Sequence, residues 1–192
     1  MFESRQITDE EYRTIIQTIR QGYVDNDGIT RKPNEQVADI LVLEANLGCR
    51  INDIISLTTD SFYFDKGEMM WKIHIIEQKT GKERRLPVPD PVKKFIDEIA
   101  GKNYTDDERL FSIKAPAVWK ALKICTASLG YESVGCHSMR KFGSMNLFKA
   151  SNYNTELVSQ WLNHSSVAVT RKYLKISNKE MEEALKKTVN IA

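Results

Sequence analysis

His164 and Tyr173 stand nine positions apart in the stretch "WLNHSSVAVTRKYLKIS", residues 161–177, with Arg171 and Lys172 directly before the tyrosine. A phenol has a pKa of about 10 and is a poor nucleophile unless basic groups stabilise its phenolate character. Adjacent side chains on a helix face different ways, so Arg171 and Lys172 are not placed by spacing to do this. Taken singly, Tyr173 reads as a packing residue. Its standing depends on what else the chain can bring to it.

Three other stretches carry candidates. In "CHSMRKFGSMNLF", His137 and Arg140 are three apart at the start of an expected helix and share a face. A helix N-terminus favours anions, and a histidine with a guanidinium there makes a reasonable phosphate site; the plainer reading is a surface pair. In "LGCRINDI", Arg50 follows a glycine that closes an apolar segment. A charge so placed costs desolvation unless it has a partner. That partner is either Asp53 alone, as a structural salt bridge, or a bound anion with Asp53 orienting the arginine, whose planar fork suits bidentate phosphate contacts. In "EQKTGKERRLPVP", Lys79 falls at the tip of an expected hairpin, with Lys82 a competing candidate three residues on. Either one keeps the turn soluble or reaches a phosphate as a proton donor. The third histidine, His74, alternates within a strand and reads as structural.

Other chemistries find no support. There is no HExxH, no paired CxxC and no tight carboxylate cluster for a metal. Neither a glycine-rich P-loop nor a GxSxG elbow occurs.

The elements that must position these residues can be read from composition and spacing. A chain of 192 residues, 41% hydrophobic and 28% charged, is expected to form one soluble domain with a substantial core. No run of about 18 apolar residues suggests a membrane span, and "MFESRQITDEEY" lacks the basic start and apolar core of a secretory signal. Cys49, Cys125 and Cys136 lack CxxC spacing and read as reduced thiols of a cytosolic protein. The net charge of +2 hides a segregation. Residues 72–94 hold Lys72, Lys79, Lys82, Arg84, Arg85, Lys93 and Lys94 against Glu77, Glu83 and Asp90, and residues 114–149 are also basic. Such a distribution suits a phosphate-rich partner, or merely a solvated surface.

Thr8 and Glu11 form a capping box for an amphipathic helix over 9–21. "YVDNDGITRKP" reads as a polar loop. Asn34 caps a second, mostly buried helix that Gly48 ends, and "RINDIISL" forms a short third. The runs "SFYF", "MMWKIHII" and "RRLPVP", separated by "DKG" and "KTGK", predict a three-stranded antiparallel sheet over about 61–89. Helical patterns resume at 91–100, 115–129, 138–150, 154–163 and 166–175, and a capping box at Ser177 and Glu180 opens a last helix with Met181, Ala184, Leu185 and Val189 on one face. The expected fold class is mainly α with one small antiparallel sheet (α+β).

Together the four stretches resemble the catalytic domain of the tyrosine recombinase (phage integrase) family. "EANLGCRINDIISL" is similar to its first box, "EQKTGKERRLPVP" to its hairpin-lysine segment, "HSMRKF" to its His-x-x-Arg box and "WLNHSSVAVTRKY" to the box ending in the nucleophile. Each motif is weak alone; the ordered set, spread over residues 8–177, is specific. The resemblance implies that Tyr173 attacks a scissile DNA phosphate and forms a 3′-phosphotyrosyl bond. By the same analogy Arg50 and Arg140 clamp the non-bridging oxygens, Lys79 protonates the leaving 5′-oxygen, His137 serves as base towards Tyr173, His164 hydrogen-bonds the phosphate and Asp53 supports Arg50. Lys82, Arg84, Lys141, Arg171 and Lys172 are left as candidates for DNA-backbone contacts. No metal and no ATP are expected, because a tyrosyl ester keeps the energy of the phosphodiester it replaces. Two positions depart from the family pattern: Lys141 stands where a histidine usually follows the second arginine, and Asn163 where a glycine usually precedes the late histidine. Asparagine tolerates the left-handed geometry such a glycine suggests.

The resemblance further implies double-stranded DNA with a specific recombination site as partner, a monomer when free, a tetramer on synapsed DNA, and DNA-bending accessory proteins. It places the protein in a bacterial or phage context, cytoplasmic and nucleoid-associated. Since the pattern begins almost at Met1, the N-terminal core-binding domain of the family is expected to be absent. Residues 1–177 are then the catalytic domain and 178–192 a helical tail exchanged between subunits. The alternatives are a minimal DNA invertase, a type IB topoisomerase-like relaxing enzyme, and a non-catalytic DNA-binding accessory protein.

Overall fold

The computed structural model describes residues 4–174 together with Glu182 and Lys186. The capping box at the first helix, α1 (Asp9–Gln21), is formed: Thr8 Oγ1 accepts from the Glu11 N–H at 3.1 Å and Glu11 Oε2 accepts from the Thr8 N–H at 2.8 Å. Two short strands follow, β1 (Tyr23–Val24) and β2 (Thr30–Arg31), paired antiparallel. This ribbon lies where only a polar loop was expected. Asp25 organises it, accepting from the N–H groups of Asp27 and Ile29 and pairing with Arg31. Strands two residues long carry no alternation that a sequence could display.

The centre of the molecule is α2 (Glu35–Leu47), capped by Asn34 and buried on nearly every face, followed by α3 (Ile51–Ile55). The predicted sheet is present as β3 (Phe62–Asp65), β4 (Met70–Ile76) and β5 (Glu83–Val88), in the order β3-β4-β5, all antiparallel. Its register pairs Ile73 with Leu86 and Ile75 with Arg84. The remaining helices are α4 (Asp90–Gly101), α5 (Ala115–Ser128), α6 (Cys136–Ala150), α7 (Thr155–Trp161) and α8 (Val167–Leu174). The tail expected over 178–192 lies, but for two positions, outside the described residues.

Helix α6 lies against α2 at backbone distance. A Cβ on Gly143 would stand 1.9 Å from the carbonyl oxygen of Ala45, so only glycine fits that crossing. The main apolar core runs from α1 through α2, the inner face of the sheet, α4, α5 and the first half of α6. A second, smaller cluster of Met145, Phe148, Val158, Leu162 and Leu174 holds α7 and α8 to the second half of α6, with Leu147, Trp161 and Tyr173 packed on it. No helix among the described residues is long and apolar enough to cross a membrane.

Candidate active site

Gly48 ends α2 in the left-handed conformation (φ 60°), and any Cβ there would strike the Trp161 ring at 2.6 Å. The turn makes Arg50 the N-cap of α3, its side chain mostly buried. Arg50 Nη1 donates to Glu77 Oε2 at 2.7 Å. The expected Arg50–Asp53 pair is therefore not formed. Asp53 is buried and its Oδ1 instead accepts from the backbone N–H of Gln78 at 2.9 Å, tying α3 to the turn that follows β4. A backbone donor at the mouth of a turn needs an acceptor, and Asp53 supplies it.

Glu77 is a site residue that sequence reasoning passed over. Its carboxylate is fully buried and accepts from three donors: Arg50, Thr80 Oγ1 at 2.7 Å and Arg84 Nη1 at 3.2 Å. Burial alone would raise its pKa, but the hydroxyl and the two guanidiniums prevail and hold it below the ordinary glutamate value. The turn so braced carries Lys79 exposed at its tip, and Lys82 is exposed just past it.

Arg84 corrects a second expectation. It is 2% exposed and does not face an open surface where DNA would lie. Besides Glu77 it donates from Nη2 to Leu47 O at 2.7 Å and to Trp161 O. Alternation along β5 held the signal, since Arg84 shares a face with Leu86 and Val88.

Helix α6 begins with no acidic residue in its first turn, leaving its N-terminal dipole uncompensated. His137 keeps an open face there. Crowding by protein, then Arg140, Arg50, Lys79 and Lys141, hold its pKa below the ordinary histidine value. One turn on, Arg140 is buried and donates from Nη2 to Leu162 O at 2.6 Å. Burial, joined by the charges of Arg50 and Arg84, lowers its pKa, although a guanidinium stays protonated at neutral pH. Lys141 donates to Ser4 O at 2.7 Å and lies 5.5 Å from the centre of the Tyr173 ring, so its ammonium serves contacts within the protein.

Asn163, where a glycine was the family expectation, takes the left-handed conformation (φ 53°). Its side chain donates to Glu83 O at 3.2 Å and delivers His164. His164 Nδ1 and Thr170 Oγ1 are 2.9 Å apart; with the hydroxyl donating, the proton sits on Nε2, which can then donate outward. Burial, then Arg140 and Arg50, push the pKa of His164 down to about 4, so the ring is neutral at neutral pH. The Tyr173 ring meets it edge-on with centroids 5.4 Å apart. The Tyr173 hydroxyl is buried without a hydrogen-bond partner among the described residues, and burial raises its pKa above the ordinary phenol value against the pull of Arg140. Arg171 and Lys172 are exposed on α8. His74, on the exposed side of the sheet, pairs with Glu83 at 2.8 Å.

A further unpredicted residue is Glu44 on α2. It is fully buried, neither carboxyl oxygen has a partner, and burial raises its pKa well above the ordinary value against Arg140. Burial thus favours the neutral form of Glu44 over the carboxylate. The site gathers Arg50, Arg84, Arg140 and a helix N-terminus against the ionised Glu77. Such a cluster of positive charge favours a bound anion, in particular one whose charge grows during reaction. No group of three or more histidine, cysteine or acidic side chains arranged to hold a metal occurs among the described residues.

Comparison with known proteins gives relatives of the sequence and of the fold. The sequence profile of the phage integrase family matches residues 5–180. The tyrosine recombinase XerA of Pyrococcus furiosus is 22% identical over 194 residues, covering 95% of this chain and 61% of its own. YoeC of Bacillus subtilis, described as a probable integrase/recombinase, is 26% identical over 154 residues, covering 77% of this chain and 81% of its own. Among solved structures, the XerH site-specific recombinase in a post-cleavage complex with its palindromic difH substrate superposes with a TM-score of 0.70 at 18% identity, over 94% of this chain and 51% of that one. The catalytic domain of bacteriophage HP1 integrase superposes with a TM-score of 0.62 at 18% identity, over 96% and 95%. The fold is that of a tyrosine recombinase catalytic domain. The chain spans 61% of the length of XerA and about half of the XerH chain.

Proposed function

Because the chain belongs to the phage integrase family, we propose that it cleaves and rejoins DNA at a specific site through a covalent bond to Tyr173. One observation carries the reading: Arg50, Arg140, neutral His164 and the Tyr173 ring, drawn from three separate stretches of sequence, lie close enough to act on one another, with both guanidiniums bearing on the histidine and the phenol.

In this reading a scissile phosphate takes its place between Arg50 and Arg140, which neutralise its non-bridging oxygens as charge builds on them. His164 donates to the phosphate from Nε2. The Tyr173 oxygen attacks phosphorus, the bond to the 5′-oxygen breaks, and a 3′-phosphotyrosyl ester remains. The phenolic proton passes to His137, and the leaving 5′-oxygen takes a proton from Lys79. Lys79 is preferred to Lys82 because it is among the cations that act on His137. Attack by a 5′-hydroxyl on the ester reverses every step and joins a strand, with neither metal nor nucleotide consumed. In the free chain the Tyr173 hydroxyl is buried, so the reading requires DNA binding to turn α8 and bring the phenol to the phosphate.

The partner is double-stranded DNA carrying a recombination site, bound by a monomer that assembles into a tetramer on two synapsed sites. DNA-bending accessory proteins and a cytoplasmic, nucleoid-associated setting belong to the same proposal. So does exchange of the 178–192 tail between subunits; recombination undiminished by deleting those residues would contradict it.

The test is a nicked or 5′-phosphorothiolate DNA site incubated with the protein. A covalent adduct is expected that survives EDTA and is lost in Tyr173→Phe. An adduct in the Phe variant would overturn the assignment of the nucleophile, and loss with EDTA would overturn metal independence. Relaxation of supercoiled plasmid regardless of sequence would replace recombination by a topoisomerase activity.

A further inference from the structure

The Glu77 side chain is 0% exposed and that of Arg84 1%. An ion pair buried so completely pays a desolvation cost that an apolar pair of similar volume would avoid. Its contacts indicate what is gained in return. Glu77 Oε2 accepts from Arg50 Nη1 and from Thr80 Oγ1, both at 2.7 Å, so a single oxygen sets the Arg50 guanidinium and the turn carrying Lys79. Its other oxygen receives Arg84, which reaches across to Leu47 O at the end of α2 and Trp161 O at the end of α7. Two residues past Trp161, Asn163 donates back to Glu83 O, the neighbour of Arg84, immediately before His164. Three segments bearing implied catalytic groups thus meet on one carboxylate–guanidinium pair. Arg50 donates to Glu77 through Nη1, and a guanidinium has five N–H donors, so others remain for a phosphate.

We propose that Glu77 and Arg84 are positioning residues for strand cleavage: a buried brace that fixes Arg50, the Lys79 turn and the approach to His164 relative to one another. This rests on the reading of Tyr173 chemistry above. It assigns the support of Arg50 to Glu77, where spacing had suggested Asp53, and it gives Arg84 a role that involves no contact with DNA.

Glu77→Gln preserves shape and removes the charge that holds both guanidiniums. The expected result is adduct formation slowed by about 10- to 100-fold, the range a misplacement of about 1 Å produces, with DNA affinity little changed; because Arg84 stays buried without its countercharge the melting temperature falls too, so rates are compared where circular dichroism shows the variant folded. In an Arg50→Ala background the same substitution should slow the reaction by several-fold less, since only the Lys79 turn and the approach to His164 are left to position. Equal losses in both backgrounds would overturn the brace and leave Glu77 a general stabiliser. A second readout needs no activity: in the DNA-free protein the guanidinium N–H signals of Arg50 and Arg84 should be slow to exchange by NMR, and both should be lost in Glu77→Gln. Signals that persist unchanged would overturn the proposal even if the wild type proved to form no adduct. Absence of an adduct with the NMR result intact would instead count against the Tyr173 reading alone.

Discussion

The two halves of the candidate site are built differently. The arginine side is joined to the main core: Arg50, Glu77 and Arg84 interlock beneath the sheet, and α2 and α6 cross so closely that Gly143 has no room for a side chain. The tyrosine side rests on the small cluster of Met145, Phe148, Val158, Leu162 and Leu174, and its hydroxyl bonds to nothing among the described residues. A clamp must hold its geometry while charge develops, so rigidity serves it. The nucleophile proposed above begins buried and must move, and a small apolar footing with no hydrogen bond to its hydroxyl among the described residues eases that movement.

The sharpest way to break this contrast is Tyr173→Phe. Strand cleavage should fall by at least about 10⁴-fold, the scale of losing a covalent nucleophile. Removing an unpartnered buried hydroxyl should leave stability unchanged or slightly higher, within about 1 kcal/mol. A large loss of stability on denaturant unfolding would mean the hydroxyl has a structural partner. On the clamp side the balance reverses. Arg84→Met strips Glu77 of a buried partner and should cost about 3–5 kcal/mol by the same measurement. If the loss is under about 1 kcal/mol, the clamp is not tied to the core as described.

Leu174→Ala tests the footing of α8. It should cost about 2–3 kcal/mol, at the low end of core truncations, and hydrogen exchange should quicken in α7 and α8 while α2 stays protected. Uniform quickening would merge the two halves into one unit. The smallest expected effect concerns Glu44, which sits between them. Glu44→Leu removes two unpartnered oxygens and should stabilise by about 1–3 kcal/mol at neutral pH. Because the folded pKa of Glu44 is raised, its own contribution to stability is greatest below its ordinary value of about 4.5 and falls as pH rises from there, so the advantage of the Leu variant should grow over that range. An advantage constant with pH would show that Glu44 does not titrate on unfolding.

Much of this was legible in the sequence, for physical reasons. Capping residues announce themselves, and Thr8, Glu11, Asn34 and Gly48 act as their types predict. The sheet followed from β-branched and aromatic runs between turn residues, and the left-handed Asn163 from the glycine that the family resemblance puts at its position. Partner choice among charges was not legible. Arg50 has Asp53 three residues away, yet it pairs with Glu77, because the N-cap position directs it to the end of β4 while Asp53 is claimed by the N–H of Gln78. Local spacing ranks nearby partners and is blind to a strand folded alongside. Arg84 is the opposite case: its segment is rich in solvated charges and by composition reads as open surface, while alternation along β5 turns this side chain inward with Leu86 and Val88.

The central claim is that Tyr173 carries the DNA. Its most direct test is mass spectrometry of the trapped adduct after trypsin digestion and nuclease trimming. Cleavage after Lys172 and Lys175 releases Tyr173 in the peptide Tyr173-Leu174-Lys175. The account predicts a nucleotide mass on that peptide and on no other. A nucleotide on a different peptide, or a DNA-exposed protein in which that peptide is always unmodified, would contradict it.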